Sequence, residues 1–487
     1  MKQKSGAGST EAIEIGFRLE PLIDDYLIDR MERARLTLHQ PAPQEVAIFH
    51  DAPWEGNTCC YHSVFQDGDV YRMYYRGSAL PVGEAAHEVT CYAESSDGVR
   101  WEKPELGLFD FKGSKKNNIV WADLHGSHNL MPFKDMNPAA ADSERYKAVA
   151  GTMDYGFYGF SSPDGLRWKR VQPEPFFPDD RSTDWISSGF WDRHRGEYLA
   201  YHRAWDSDYG EVMDLKVPIP GEQPRPDGHL NDAGRWRSVR YCTSKDFVHW
   251  TETRLCHFDP PLSLEEQFYT NGILPYFRAP HIYIGMPKRF APFRHKILEH
   301  QPGVSDGGFM TSRDGVHWKL WEEAFIRPGL DWQNWVNRNN MPAFGMLETA
   351  PGEISVYWRQ HSKGDVCRLR RGTVRTDGFV SVNAGYGGGE LVTKPLTFSG
   401  RELVINYSTS AFGSVQVELQ DAAGSVLDGY SLAQCPVIYG DAIEHKVSWD
   451  GGADVSGLAG NAVRLRFVLK DADLYSLRFA HGFNEAR

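Results

Sequence analysis

No run in this 487-residue chain approaches the ~18 apolar residues that a membrane-spanning helix needs. Positive charge is also short. The 53 Lys and Arg stand against 65 Asp and Glu, a net charge of −12, which argues against nucleic acid or an anionic membrane as partner. Cysteine is sparse and odd in number, with seven at 59, 60, 91, 242, 256, 367 and 435. The spacing suits neither a metal site nor a disulfide framework, which points to a reducing compartment. Adjacent Cys59-Cys60 reads as strand filler. Residues 1–16 begin Met1-Lys2-Gln3-Lys4-Ser5-Gly6 without the apolar core of a signal peptide. They read as a disordered lead. The chain as given is expected in the cytoplasm, or in the periplasm or outside the cell if a leader has been removed.

Aromatic residues are plentiful instead, with 15 Trp, 22 Tyr and 26 Phe, alongside 47 Gly and 28 Pro. This suits an all-β protein with many turns. Five short segments nearly repeat. They are Ser95-Ser96-Asp97-Gly98-Val99-Arg100-Trp101, Ser162-Pro163-Asp164-Gly165-Leu166-Arg167-Trp168, Ser244-Lys245-Asp246-Phe247-Val248-His249-Trp250, Ser312-Arg313-Asp314-Gly315-Val316-His317-Trp318 and the degenerate Arg375-Thr376-Asp377-Gly378-Phe379. Long-period repetition of this kind marks a propeller or solenoid.

Each copy follows a β-rich run, such as Val70-Tyr71-Arg72-Met73-Tyr74-Tyr75 or His281-Ile282-Tyr283-Ile284. The Asp-Gly step makes a tight hairpin turn, because Gly accepts positive φ and Asp bonds its own turn backbone. The Trp is expected between neighbouring sheets, so these motifs locate blades and do not catalyse. Five turns predict a five-bladed β-propeller, with blades near 56–104, 118–171, 185–253, 265–321 and 332–382. The segment from Phe17 to about Ala47 is expected to lean on the ring or help close it. After a glycine-rich crossing at 381–392 the pattern alternates with period two, as in Val463-Arg464-Leu465-Arg466-Phe467. That predicts a C-terminal β-sandwich of jelly-roll type. The expected domains are therefore a lead at 1–16, a propeller at 17–382 and a sandwich at 383–487, the last read as structural.

The default site of a propeller is the mouth of its channel, where the first strands of the blades converge. Blade one offers Asp51, Trp54, Glu55 and His62 there. Blade two offers Asn129 and Asp135, and blade three offers Asp184. Blade four offers Glu266, Tyr269, Asn271, Arg278 and His281, and blade five offers Trp335, Asn337 and Arg338. Such a mixture suits a sugar. Carboxylates move protons, amides and guanidinium groups grip hydroxyls, and indole faces stack on pyranose rings. Glycoside hydrolysis needs two carboxyls of unlike pKa flanking one bond. Asp192, beside Arg193-His194-Arg195-Gly196, reads as a hairpin turn.

In its five blades, its Ser-x-Asp-Gly-x-x-Trp turns and its acidic residues at successive blade mouths, residues 17–382 resemble the five-bladed propeller glycosidases of families 43, 62, 32, 68, 117 and 130. The whole chain is similar to an uncharacterised group with a family 32-like N-terminal domain. The family 32 Asn-Asp-Pro-Asn-Gly and Arg-Asp-Pro motifs are missing, so roles carry over by blade position. The resemblance implies a blade-one carboxylate, Asp51 or Glu55, at the site. It implies Asp135 as the residue that tunes pKa and Asp184 or Glu266 as the acid; the reading adopted is Glu266 as general acid, Asp184 as base or nucleophile, and Asp135 for orientation and pKa tuning. The expected activity is hydrolysis of a terminal glycosidic bond in an oligosaccharide or polysaccharide. No cofactor is required, and a structural calcium ion is compatible. Two rivals are a family 130-type phosphorylase, with Arg278, His281, Lys288 and Arg289 cradling phosphate, and a glycan-binding propeller without turnover.

Overall fold

The computed structural model describes residues 12–79, 87–123, 128–152, 156–176, 188–207 and 234–482. Contacts divide the chain into two units, residues 40–374 and residues 1–39 with 375–487.

The first unit holds five sheets. Blade one is Cys60–Asp67, Val70–Ser78, Glu88–Ser95 and Ile119–Trp121. Blade two is Met131–Lys134, Tyr146–Thr152, Gly156–Ser162 and Lys169–Arg170. Blade three is Ser188–Asp192, Glu197–Ser207, Arg235–Ser244 and Arg254–Leu255. Blade four is a seven-stranded sheet between His257 and Ile326. Blade five is Leu347–Ala350, Glu353–Gln360 and Cys367–Arg375, with Ala42–His50 added along its outer edge.

Innermost segments of adjacent blades bond in sequence. Ser63 Oγ donates to the Pro132 carbonyl at 2.9 Å, and the inner strands of blades two and three pack together. Ser188 Oγ donates to Asn271 Oδ1 at 2.9 Å, and Asn340 Nδ2 to the Ser305 carbonyl at 2.8 Å. The ring closes where Phe344 N donates to the His62 carbonyl and Val64 N to the Phe344 carbonyl, both at 2.8 Å. The five sheets thus form a five-bladed propeller, closed by a strand from the N-terminal side of the chain. Such closure leaves few sheet edges open to other chains.

The repeated turns do the structural work expected of them. In the first four, the serine hydroxyl bonds the aspartate and accepts from the backbone N–H three residues on. The aspartate Oδ1 accepts two further N–H groups. Three of the four turns also receive a tyrosine from a neighbouring blade. Tyr74 of blade one donates to the Gly165 carbonyl of blade two at 2.9 Å, and Tyr201 of blade three to Gly315 of blade four at 2.9 Å. Tyr357 of blade five donates likewise to Gly98 of blade one. A Cβ on Gly165 or Gly315 would meet the tyrosine hydroxyl at 2.6 or 2.4 Å, which is why glycine stands there. The Trp three residues on packs edge-on against the same tyrosine: Trp168 on Tyr74, Trp318 on Tyr201 and Trp101 on Tyr357.

The exception explains itself. Blade three carries Phe247 at the glycine position, and blade two carries Val149 where Tyr74 and Tyr201 stand. The Phe247 ring fills the space and reaches Gly159, the strand partner of Val149.

The second unit is one ten-stranded sheet. Glu402–Asp421 and Val463–Ala480 pair along most of their length, with a register shift between Thr409 and Ser414. Alternate residues, among them Val415, Val417, Leu419, Leu465 and Phe467, are fully buried in a single apolar core. The sandwich expectation anticipates two layers. Here the long strands, offset at bulges, join every strand into one sheet around that core.

The domain limits shift accordingly. Ile13–Gly16 is a strand paired with Leu396–Phe398 rather than part of a lead. Ile28–Glu32 and Ala34–Leu38 pair with Gly389–Thr393 and Val380–Ala384. Of the expected N-terminal packing segment, only Ala42–His50 joins the ring. The reason is that its pairing partner, Cys367–Arg375, lies more than 300 residues away.

Candidate functional site

Four inner strands are entered through a left-handed residue: Tyr61, Asn129, Gly272 and Asn340, with φ of 55°, 65°, 59° and 55°. Non-glycine residues hold such angles only where surrounding structure enforces them, and these positions cluster at functional sites. Arg338, with φ of 74°, stands two residues before Asn340. The entrance end of the inner strands is called the mouth, and its side chains form the candidate site.

Four of the five blades bring a cation to this end from the second strand or its continuation. Tyr71, Tyr146, Tyr198 and Tyr283 pair with the serines of the first four repeated turns. Five residues further on stand Arg76, Gly151, Arg203 and Lys288. In blade five, Arg359 holds the matching place, bonding through its backbone to Asn340 and Met341. Arg76, Arg203, Lys288 and Arg359 are all buried.

These cations interleave with aromatic rings. The Arg76 guanidinium lies 4.7 Å from the Tyr61 ring centre. Lys288 Nζ lies 3.9 Å, and the Arg203 guanidinium 4.1 Å, from the centre of the Tyr269 ring. Arg237 approaches the same ring at 5.7 Å and Phe290 at 5.4 Å. Lys288 donates to Asn337 Oδ1 at 3.0 Å. Arg359 donates to the carbonyls of Cys59, at 2.9 Å, and Arg338. Burial, and then Arg359, Arg338, Arg203 and Arg237 in turn, push the Lys288 ammonium well below its ordinary pKa. Among the described residues, no carboxylate lies within ion-pair distance of Lys288, Arg338 or Arg359.

Among the described residues, the Glu88 carboxylate stands at the mouth. Glu88 opens the third strand of blade one, 3.3 Å from Arg76 Nη1 and 2.7 Å from His128 Nδ1. Arg76 also donates to Asn129 Oδ1 at 3.0 Å. Glu88 and His128 are not legible as a pair in the sequence, because they belong to different blades and Glu88 starts a third strand rather than an inner one. Sequence reasoning also passed over Arg76, Arg203 and Arg359. A signal was present: Tyr71…Arg76, Tyr198…Arg203 and Tyr283…Lys288 share one Tyr-x4-cation spacing.

Of the residues expected at the site, Asn129, Tyr269, Asn271, Asn337 and Arg338 come together at the mouth. Asp184 lies outside the described residues. The others stand elsewhere. Glu55 is fully buried at the seam between blades one and five. It accepts from Tyr75 Oη at 2.6 Å, Lys103 Nζ at 2.7 Å and Ala52 N at 2.8 Å, with His50 Nδ1 at 3.5 Å. Burial alone would raise its pKa, but the bonds from His50 and Lys103 outweigh this and hold the carboxyl at about 2. His50 is kept below its ordinary value by burial, so the lasting opposite charge is Lys103. His62 extends this seam through His50 Nε2 at 3.0 Å, and Asp51 and Trp54 flank it through Lys103 and Asn118. These are closure residues.

Asp135 follows the far end of its inner strand, six residues past Asn129, roughly 20 Å at strand rise. Buried there, it binds Lys147 Nζ at 2.6 Å and Tyr198 Oη at 2.7 Å. Asp67 and Asp192 make the equivalent latches to Tyr146 and Tyr283. Asp135 is thus an interblade latch, and Asp192 also bonds its own turn as expected. Arg278 and His281 flank the same far-side hairpin in blade four. Glu266, half exposed, pairs with Arg289 at 3.0 Å, and Arg289 also pairs with Asp306 at 2.8 Å. Both line a cavity of about 850 Å³ with Trp335, Phe290 and Phe293. Among the described residues, no group of three or more His, Cys, Asp or Glu is placed to hold a metal ion.

No family model matches the chain. It is 33% identical over 143 residues to uncharacterized proteins from two strains of Mycobacterium tuberculosis, covering 28% of this chain and 43% of each of those proteins. The chain thus spans less than half the length of the curated relatives it matches. Similar solved structures include a family 43 arabinoxylan arabinofuranohydrolase from Bacillus subtilis in complex with cellotetraose. It has a TM-score of 0.40 and 11% identity, over 91% of this chain and 99% of that one. An alpha-L-arabinofuranosidase from Podospora anserina in complex with cellotriose has a TM-score of 0.44 and 8% identity, over 69% and 98%. At these scores the fold assignment rests on the sheets themselves.

Proposed function

We propose that this protein is a carbohydrate-active enzyme that cleaves a glycosidic bond at the mouth of its propeller. The observation that carries the reading is the composition of that mouth. Aromatic faces from Tyr61 and Tyr269, amides from Asn129, Asn271 and Asn337, and the Glu88 carboxylate converge from four blades on one end of the channel. Rings of this kind stack on sugar C–H surfaces and amides bind hydroxyls. A carboxylate bonded to a histidine can exchange a proton with the scissile oxygen or with water. Glu88 takes the place first given to Glu266. The second carboxyl that glycoside hydrolysis requires is assigned to Asp184 of blade three.

The test is incubation with a panel of neutral and acidic oligosaccharides, with products resolved by mass. Release of a saccharide by the wild type, lost in Glu88→Gln and kept in Glu266→Gln, is the expected result. Absence of cleavage across the panel, or full activity in Glu88→Gln, would refute it. One observation favours phosphorolysis as a second reading: Lys288, expected to hold phosphate, stands among the mouth cations. Product formation that rises with inorganic phosphate and yields a sugar phosphate would select it.

A further inference from the structure

Among the described residues, no carboxylate lies within ion-pair distance of Lys288, Arg338 or Arg359 at the mouth. Lys288, Arg338 and Arg359 come from blade four and the two halves of blade five. Arg203 and Arg237, which have further partners of their own, lie around the same Tyr269 ring. Arg359 spends its guanidinium on backbone carbonyls and Lys288 bonds only an amide oxygen and a ring face. Removing a cation from water without an opposite charge costs several kcal/mol, a cost that a bound anion would offset.

We infer that this cluster binds an oxyanion carried by the saccharide substrate, a uronate carboxylate or a sulfate or phosphate ester. The inference rests on the proposed glycosidic cleavage and names the class of sugar. Guanidinium and ammonium groups matched to one oxyanion form charge-assisted bonds, which are stronger than bonds to hydroxyls. Aromatic faces interleaved with the cations favour an anion attached to a ring over a free ion. Tyr269 lies under Lys288 and Arg203, and Tyr61 under Arg76.

Space for the rest of the chain lies alongside. Phe290 stands 5.4 Å from both Lys288 Nζ and the Arg237 guanidinium, and it also lines the 850 Å³ cavity that holds Trp335 and Phe293. That cavity mixes both signs of charge. Glu266 and Asp306 line it in ion pairs with Arg289, and Arg294 and Arg327 line it as well. Phe290 thus adjoins both the cations and the cavity.

Binding to the full-length protein tests this by calorimetry at constant ionic strength. The probes are D-glucuronate, D-galacturonate oligomers, glucose 6-sulfate, inorganic phosphate and glucose. The expected result is saturable binding of at least one acidic sugar, weakened about tenfold or more in both Lys288→Met and Arg338→Gln, with glucose unaffected. Arg338 is half-buried and its side chain supports no other bond among the described residues, so its variant reads the site even if Lys288→Met folds poorly. Binding of inorganic phosphate alone, lost in the variants, would place a free ion in the cluster and overturn a sugar-borne oxyanion. No saturable anion binding, or equal binding in both variants, would overturn the inference outright. An acidic sugar that binds through these residues yet is never cleaved in oligosaccharide form would leave the anion site standing and sink the cleavage reading.

Discussion

Glu55→Gln separates architecture from chemistry at blade one. The carboxyl sits wholly out of water among Tyr75, Lys103, His50 and the Ala52 amide. Its pKa falls from an ordinary 4.5 to about 2. A difference of about 2.5 units, at about 1.4 kcal/mol per unit, corresponds to roughly 3 kcal/mol of stability. That agrees with the ~3–5 kcal/mol usually lost when one partner of a buried pair is removed. Because the folded pKa is depressed, this stabilisation is present above the unfolded value of 4.5 and drains away as pH falls through about 2. Urea denaturation at pH 7 should therefore place the variant about 3 kcal/mol below wild type, and the gap should close towards pH 2. Specific activity of the folded fraction should be unchanged, because Glu55 faces the seam. A variant as stable as wild type at pH 7, or one stable yet inactive, would refute the reasoning and return Glu55 to the site.

Asp135→Asn should likewise cost about 3 kcal/mol by stranding Lys147, while leaving turnover in place, as denaturant midpoints and initial rates would record. Phe247→Gly should cost about 3–5 kcal/mol, because a buried ring is lost between blades two and three. Adding Val149→Tyr should recover part of that loss by rebuilding the tyrosine-to-carbonyl bond of the other seams, and a double-mutant cycle without coupling would contradict the seam model. Lys288→Met should raise the denaturation midpoint of the unliganded protein while abolishing turnover, since it removes a buried cation held among arginines.

Much of the fold could be read in advance, because a propeller repeats its local chemistry. The Ser-x-Asp-Gly turns carry their own hydrogen bonds, and each Trp and Tyr marks a seam. What stayed hidden were pairings between distant segments. Ala42–His50 has no local feature that assigns it to blade five, and the strands at 28–38 look like any alternating pattern until Gly389–Thr393 and Val380–Ala384 sit beside them. The site was half legible. Asn129, Tyr269, Asn271, Asn337 and Arg338 stand at strand entrances, where a mouth should be. Asp135, Arg278 and His281 were misplaced because six residues of strand separate the two rims, and proximity in sequence does not say which rim a carboxylate faces. The cations were the larger miss. Their spacing from the strand tyrosines repeats as regularly as the turns, but a search centred on carboxylates passes over them.

The central claim is that a glycosidic bond is cleaved at the mouth and not in the adjoining cavity. The most direct measurement is the turnover of one acidic oligosaccharide by wild type, Glu88→Gln and Glu266→Gln, side by side at equal folded concentration. The account predicts product from wild type and Glu266→Gln and at least a hundredfold loss in Glu88→Gln, the usual scale for removing an acid–base group. Loss in Glu266→Gln with activity retained in Glu88→Gln would move the chemistry into the cavity and contradict it.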